Sequence, residues 1–304
     1  MRKMLLPFAI LVMLSSTAQP PQFAQYTIEN IPLPARLNDQ VCISGMNYMN
    51  GKLYLASERC PVVFETDPVS GNLIKEISFQ VPQDFEMEGM TSYRNKLYLV
   101  TEDVAALYEL DATNGNIKAI ETSIPLPPKS KHGDGMEGIA ANDKNQKFYL
   151  LRERNEERTQ TEIYTFAIDH SAADQSLKLV FESKIEIPLD NPQWRFSDIC
   201  YDPVNNQLLC LKSFSKGKLR RQYLEAIDID ANGQLKEDTR RNIPVTRFSE
   251  ISNEYKDQDY SMNLEGITLD EKGNIFIVSD NTSGKALCDK PAKEKTILLE
   301  LKKQ

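Results

Sequence analysis

The feature that most restricts how this chain can fold is a hairpin written over and over. Met262-Asn-Leu-Glu265-Gly266-Ile267 runs to a polar turn at Gly273 and comes back as Asn274-Ile-Phe-Ile-Val-Ser279-Asp280-Asn281. The two arms read as short strands joined by that turn, and the acids Glu265 and Asp280 fall at the open end. Met87-Glu88-Gly89-Met90 returns as Tyr98-Leu-Val-Thr101-Glu102-Asp103, and Met136-Glu137-Gly138-Ile139 as Tyr149-Leu-Leu-Arg152-Glu153-Arg154. Looser copies join Ile43-Ser44-Gly45-Met46 to Ala56-Ser57-Glu58-Arg59, and Phe196-Ser197-Asp198-Ile199 to Leu211-Lys212-Ser213-Phe214.

Two further strands follow each hairpin. In the first repeat they are near Val62 to Thr66 and Leu73 to Phe79; in the second, Leu107 to Asp111 and Ile117 to Glu121. A period of roughly 40 to 60 residues with four strands in each repeat specifies an all-β fold, the β-propeller. Five four-stranded blades are expected. The alternative is six, with an unsplit blade in the long third or fourth repeat. The last repeat runs out of chain after Thr296 to Leu301 without its fourth strand. The strand at Gln25 to Leu33 is expected to supply it and close the ring.

The charge pattern at the open ends carries the functional content. The positions of Glu88 and Glu102 average to Asn95 in the turn, and those of Glu137 and Glu153 to Asn145, so the paired acids are expected to face each other across their hairpins. Like charges so placed repel, and repeating them around a channel compounds the cost unless something offsets it. Three explanations stand side by side. The acids accept backbone hydrogen bonds from neighbouring blades; or they converge on a hard cation such as Ca²⁺ or Mg²⁺, as oxygen donors without sulfur or imidazole do; or they pair with Arg59, Arg152, Arg154 and Lys212. The glycines after the acids fit crowding or a bulge near the axis.

The order Ser-Gly-Met, Glu-Gly-Met, Glu-Gly-Ile, Ser-Asp-Ile, Glu-Gly-Ile resembles the phytase-like domain, the esterase-like activity of phytase family, and is similar to the SdiA-regulated propellers. Asp84-Phe-Glu-Met-Glu88-Gly89, Gly135-Met-Glu137-Gly138-Ile139, Ser197-Asp198-Ile199 and Glu265-Gly266-Ile267 with Ser279-Asp280-Asn281 carry the likeness, which extends from about residue 41 to 301. The resemblance implies a propeller and suggests hydrolysis of phosphoesters or esters. One blade departs from the pattern, because Lys212-Ser213-Phe214 stands where the family has a Glu-Arg pair and removes one acid from the ring.

On this reading Glu88, Glu137, Glu265 and Asp280 hold Ca²⁺, Glu153 acts as general base, and Arg59 or Arg154 binds the oxyanion. No organic cofactor is expected. His132, in Lys129-Ser-Lys-His-Gly-Asp-Gly135, is a candidate acid against the plainer reading of a surface-loop histidine. No Gly-x-Ser-x-Gly elbow occurs, which disfavours serine-esterase chemistry. The alternative is a non-catalytic propeller whose rim captures a ligand or protein.

The ends and composition set the context. Met1-Arg-Lys-Met4, an apolar run to Leu14 and small residues up to Ala18 describe a secretory leader over residues 1–18. Residues 19–40 are then a linker with the closing strand, and 41–304 the propeller. A periplasmic or secreted monomer is expected, acting on a small anionic or ester substrate. The formal charge of −8 argues against nucleic acid, and no segment suits membrane insertion. Two hairpins place cysteines symmetrically, Cys42 with Cys60 and Cys200 with Cys210, so each pair is either a disulfide or two buried thiols; Cys288 has no evident partner.

Overall fold

The computed structural model describes residues 26–304 apart from 39, 82–84, 170–176, 218, 246, 256–258, 282–291 and 293. The leader, His170 and Cys288 lie outside the described residues. Five sheets, antiparallel apart from one short added strand, follow one another in chain order. The hairpins that open them are Ile43–Met49 with Lys52–Ser57, Met87–Tyr93 with Lys96–Thr101, Met136–Asn142 with Lys147–Arg152, Trp194–Asp202 with Gln207–Lys216, and Asn263–Leu269 with Ile275–Asp280. Each first strand approaches the first strands of both neighbouring sheets. The result is a five-bladed propeller with those strands around the axis.

The ring closes as the repeat demands. Tyr26–Ile31 pairs antiparallel with Leu298–Lys303 as the outermost strand of the fifth blade, Tyr26 opposite Lys303 and Ile31 opposite Leu298. Joining both ends of the chain in one sheet removes two free edges. One blade is wider than expected. The stretch Ile117 to Glu121 is broken at Ile120: Ile117–Ala119 completes blade two, while Glu121–Thr122 adds to blade three in parallel with Lys178–Leu179.

A blade sandwiched between two others buries both faces, so the apolar core divides into five clusters, one in each seam. The hairpin turn Asn50-Gly51 has positive φ at both residues, 53° and 76°, as a type I′ turn requires. The insertion after Arg247 carries a short helical segment whose Phe248 and Ile251 fill the seam between blades four and five. Among the described residues no helix is long and apolar enough to cross a membrane.

The hairpin disulfides do not form. Cys200 pairs with Leu209 and Cys210 with Ile199, a one-residue offset that sends the two side chains to opposite faces of the blade. Cys200 lies in the seam with blade five and Cys210 in the seam with blade three, both as free thiols. Cys42 likewise stands outside any disulfide, whereas Cys60 is engaged in one.

Candidate functional site

Every inner strand carries a register shift at the same place in its repeat, between Ile43 and Gly45, Met87 and Gly89, Met136 and Gly138, Phe196 and Asp198, and Leu264 and Gly266. The residue left over in each bulge is Ser44, Glu88, Glu137, Ser197 or Glu265. A bulge adds one unpaired residue and bends its strand, so the repeat turns these five positions into a ring at one end of the channel. The residue after each bulge is pressed against the next blade. A Cβ on Gly89 would lie 2.5 Å from the Glu137 carbonyl oxygen, and one on Gly138 would lie 2.7 Å from Asp198 Oδ1.

The bulge also corrects the expected facing of acids. Glu88 is not opposite Glu102, nor Glu137 opposite Glu153. The second-strand acids Glu58, Glu102 and Glu153 bond through their backbone N–H to the carbonyls of Cys42, Glu86 and Gly135 at 3.0, 2.9 and 2.9 Å. In the other two blades Ser213 faces Arg195 and Asp280 faces Asn263. Two further rings therefore lie beside the bulge ring. Cys42, Glu86, Arg195 and Asn263 each sit two residues before a bulge but share no residue type from repeat to repeat, so the repeat does not mark them.

Ion pairs link most of these side chains in sequence. Arg59 bonds Glu58 at 2.6 Å and also Glu86; the Lys129 ammonium bonds Glu86 at 2.7 Å, Asp103 at 2.9 Å and also Glu102. On the far side Arg195 bonds Glu153 at 2.9 Å and Glu265 at 2.5 Å, filling the place where blade four lacks an acid. Arg154 bonds Glu153 at 3.2 Å and Asp134 at 2.6 Å, and Arg158 bonds Asp134 at 2.6 Å. Asn263 donates to Asp280 at 3.2 Å, and the Cys42 thiol lies 2.8 Å from Asp280 and 2.6 Å from Glu58. His132 is exposed, and its carbonyl accepts from Arg158. Arg152 and Lys212 turn outward to Glu162 and Glu225.

Inside this chain of pairs two acids have no counter-ion. Glu88 accepts one hydrogen bond, 2.6 Å from Ser44 Oγ. Glu137, 8 % exposed, has no hydrogen-bond or ion-pair partner among the described residues. Carboxylates outnumber the basic groups around it, and burial dominates their titration. Burial pushes Glu137 and Glu88 well above the ordinary carboxyl range, with the field of Glu88 the next cause at Glu137. It lifts Glu265 to about 8, and Glu58 and Glu102 to about 7. Asp134 goes the other way: against burial, hydrogen bonding with Glu153 and Arg158 and the nearby guanidinium charges hold it at about 2.

Of the three explanations for the acids, blade joining falls to another residue. Asp198, fully buried in the position held elsewhere by glycine, accepts from Ile199 N and Ile267 N at 2.8 Å each and from Ile139 N. Ion pairing accounts for Glu58, Glu86, Glu102, Glu153 and Glu265. A cation remains the fitting partner for the centre. The donors there are oxygens only, and the buried Oε1 of Glu102 and Oε2 of Glu265 have no partner, a costly state unless a cation or proton meets them. Among the described residues, the groups whose donor atoms lie within 4.8 Å of one another are Cys42 with Glu58 and Asp280, Glu58 with Glu86 and Glu88, and Glu86 with Glu102 and Asp103; in each of them Arg59 or Lys129 already pairs with an acid.

The profile of the family described as phytase-like, esterase-like activity of phytase, matches residues 45–282. No protein of curated function matches the chain. Among solved structures, glutaminyl cyclase from Myxococcus xanthus superposes with a TM-score of 0.53 at 11% identity, covering 92% of this chain and 98% of that one. The PQQ-bound aldose sugar dehydrogenase of Streptomyces coelicolor reaches 0.47 at 11% identity over 91% and 98%. A gluconolactonase of Xanthomonas campestris reaches 0.42 at 13% identity over 83% and 69%. At these identities the first match speaks to the fold alone, and the other two carry no argument.

Proposed function

The chain belongs to the phytase-like family, and from that premise we propose that it is an exported, cation-assisted hydrolase of phosphoesters or esters, working in the acidic well on the propeller axis. The observation that carries this reading is Glu137, a buried carboxylate without a partner at the centre of an excess of acids. Glu88, Glu137 and Glu265 would hold the ion, with Asp280 at the margin beside Cys42. An all-oxygen set suits Ca²⁺ or Mg²⁺. Such an ion supplies Lewis-acid polarisation of an ester or phosphoryl oxygen and makes a bound water more acidic.

The chain's own groups divide the remaining work. Arg59, its side chain 38 % exposed, and Arg154, at 12 %, would meet a small anionic substrate, although each also grips acids of the site. Glu153 is held between Arg154 and Arg195, so accepting a proton as general base requires it to loosen one of those bonds. This commitment of the basic residues to acids favours the second reading, a propeller that captures a ligand without turning it over.

Assays on phytate, p-nitrophenyl phosphate and acyl esters, each with calcium and with chelator, separate the two. Hydrolysis of at least one compound that stops on chelation is the expected result. Absence of turnover in every assay supports the binding reading instead.

A further inference from the structure

The connection that leads from blade two into the inner strand of blade three delivers a cation to the acids. Pro125, Pro127 and Pro128 restrict its backbone. Residues 130–134 then fold back on themselves, the Ser130 N–H donating to the Asp134 carbonyl at 2.8 Å and the Gly133 N–H to the Ser130 carbonyl at 3.0 Å. Asp134, at the end of this turn, is gripped by Arg154 and Arg158 at 2.6 Å each. Lys129 stands just before the turn and reaches back to blade two.

Its ammonium sits among three carboxylates that are close enough together to share one ion. Oxygens of Glu86, Glu102 and Asp103 lie within 4.8 Å of one another. Lys129 Nζ is 2.7 Å from Glu86 and 2.9 Å from Asp103, and its third bond goes to Glu102. An ammonium has three protons to donate, so all of them are used. Glu102, 5 % exposed, keeps its Oε1 buried and without a partner. Two observations therefore point to a cation that accepts more oxygens than an ammonium can serve: a positive group already seated between the three acids, and a buried oxygen that it leaves unmet.

We propose that Glu86, Glu102 and Asp103 form a divalent-cation site, separate in its donors from Glu88, Glu137 and Glu265, and that Lys129 is a tethered competitor that keeps it closed. Hard cations such as Ca²⁺ take about six to eight oxygens, so the three carboxylates with both Glu102 oxygens and water make a suitable set. The ion and the ammonium cannot share the space between the acids, and binding there requires the lysine to leave. Lys129 thus decides which acids of the well a divalent ion reaches. This assignment does not rest on the site around Glu137, because no donor is common to the two.

Equilibrium dialysis against CaCl₂ of the intact protein, K129Q, K129R and the double variant K129Q/E86Q tests the assignment, with far-UV circular dichroism as the check on folding. K129Q is expected to bind one calcium ion per chain more than the unmodified protein, with a Kd of about 1 mM or tighter. K129R keeps the charge and should match the unmodified protein, and adding E86Q to K129Q should remove the extra ion. An unchanged count in folded K129Q, an extra ion in K129R, or one that survives E86Q overturns the assignment. If K129Q loses its native spectrum in chelator, recovery of that spectrum in millimolar calcium supports the site and failure to recover overturns it. A count of zero in the unmodified protein would remove the cation site around Glu137 and leave this comparison intact.

Discussion

Changing Glu137 to Gln is expected to abolish cation-dependent turnover and, in the same protein, to stabilise the cation-free fold. The two effects share one cause. A buried carboxylate without a counter-ion is costly to ionise, and burial has raised its pKa. For such an acid the native state holds its proton to higher pH than the unfolded chain does. Its favourable contribution is therefore complete below the unfolded carboxyl pKa and is lost as pH rises through the folded value. Glu265, Glu58 and Glu102, with folded values of about 8, 7 and 7, act in the same sense, so the cation-free protein should weaken steadily from mildly acid to mildly alkaline pH. E137Q removes one member of that set. In chelator it should gain roughly 1–3 kcal/mol near pH 9 and close to nothing near pH 5, read from thermal melts. A loss of similar size at both pH values would mean that Glu137 is a structural residue.

A second large effect is expected at Asp198. Its carboxyl satisfies backbone N–H groups of Ile139, Ile199 and Ile267, one from each of three consecutive blades. D198A would leave these buried donors unpaired, at a cost of about 1–3 kcal/mol for each group that finds no replacement. A total loss of about 3–5 kcal/mol in denaturant unfolding follows, with D198N recovering part of it through its remaining carbonyl oxygen. A D198A loss below about 1 kcal/mol would show that the three blades are joined by seam packing and Ser197 alone, whose hydroxyl donates to the Leu264 carbonyl at 2.8 Å.

Much of the architecture was legible because the repeat states it. The strand count after each hairpin, the missing last strand and the spare strand at Tyr26–Ile31 together determine five blades and the closure. What the sequence concealed was a single extra residue per blade. Reasoning from the midpoint of a turn assumes an unbroken ladder. The bulges at Ser44, Glu88, Glu137, Ser197 and Glu265 shift the pairing by one, which is enough to move a side chain to the other face. That shift separates Glu88 from its expected partner Glu102. A one-residue offset likewise separates Cys200 from Cys210, in the straight part of blade four.

The candidate site was legible in part. Identical chemistry in successive repeats exposed the bulge acids, whereas Cys42, Glu86, Gly135, Arg195 and Asn263 share one repeat position but no chemistry, so no recurring letter marked them. Lys129 and Asp134 come from the connection between blades two and three, where no repeat pattern applies. Their importance follows only from the ladder that brings Glu86, Glu102 and Glu153 beside them. Asp198 was visible as a departure from Glu-Gly, and its role emerged from the backbone donors that surround it.

The central claim is that the carboxylates around Glu137 hold a divalent cation. A crystal structure of the protein grown with calcium tests it most directly. The expected density is a single ion about 2.3–2.6 Å from an oxygen of Glu137, with Glu88 and Glu265 completing the protein ligands. A well-ordered Glu137 that contacts only water, with no ion in the well, would contradict it.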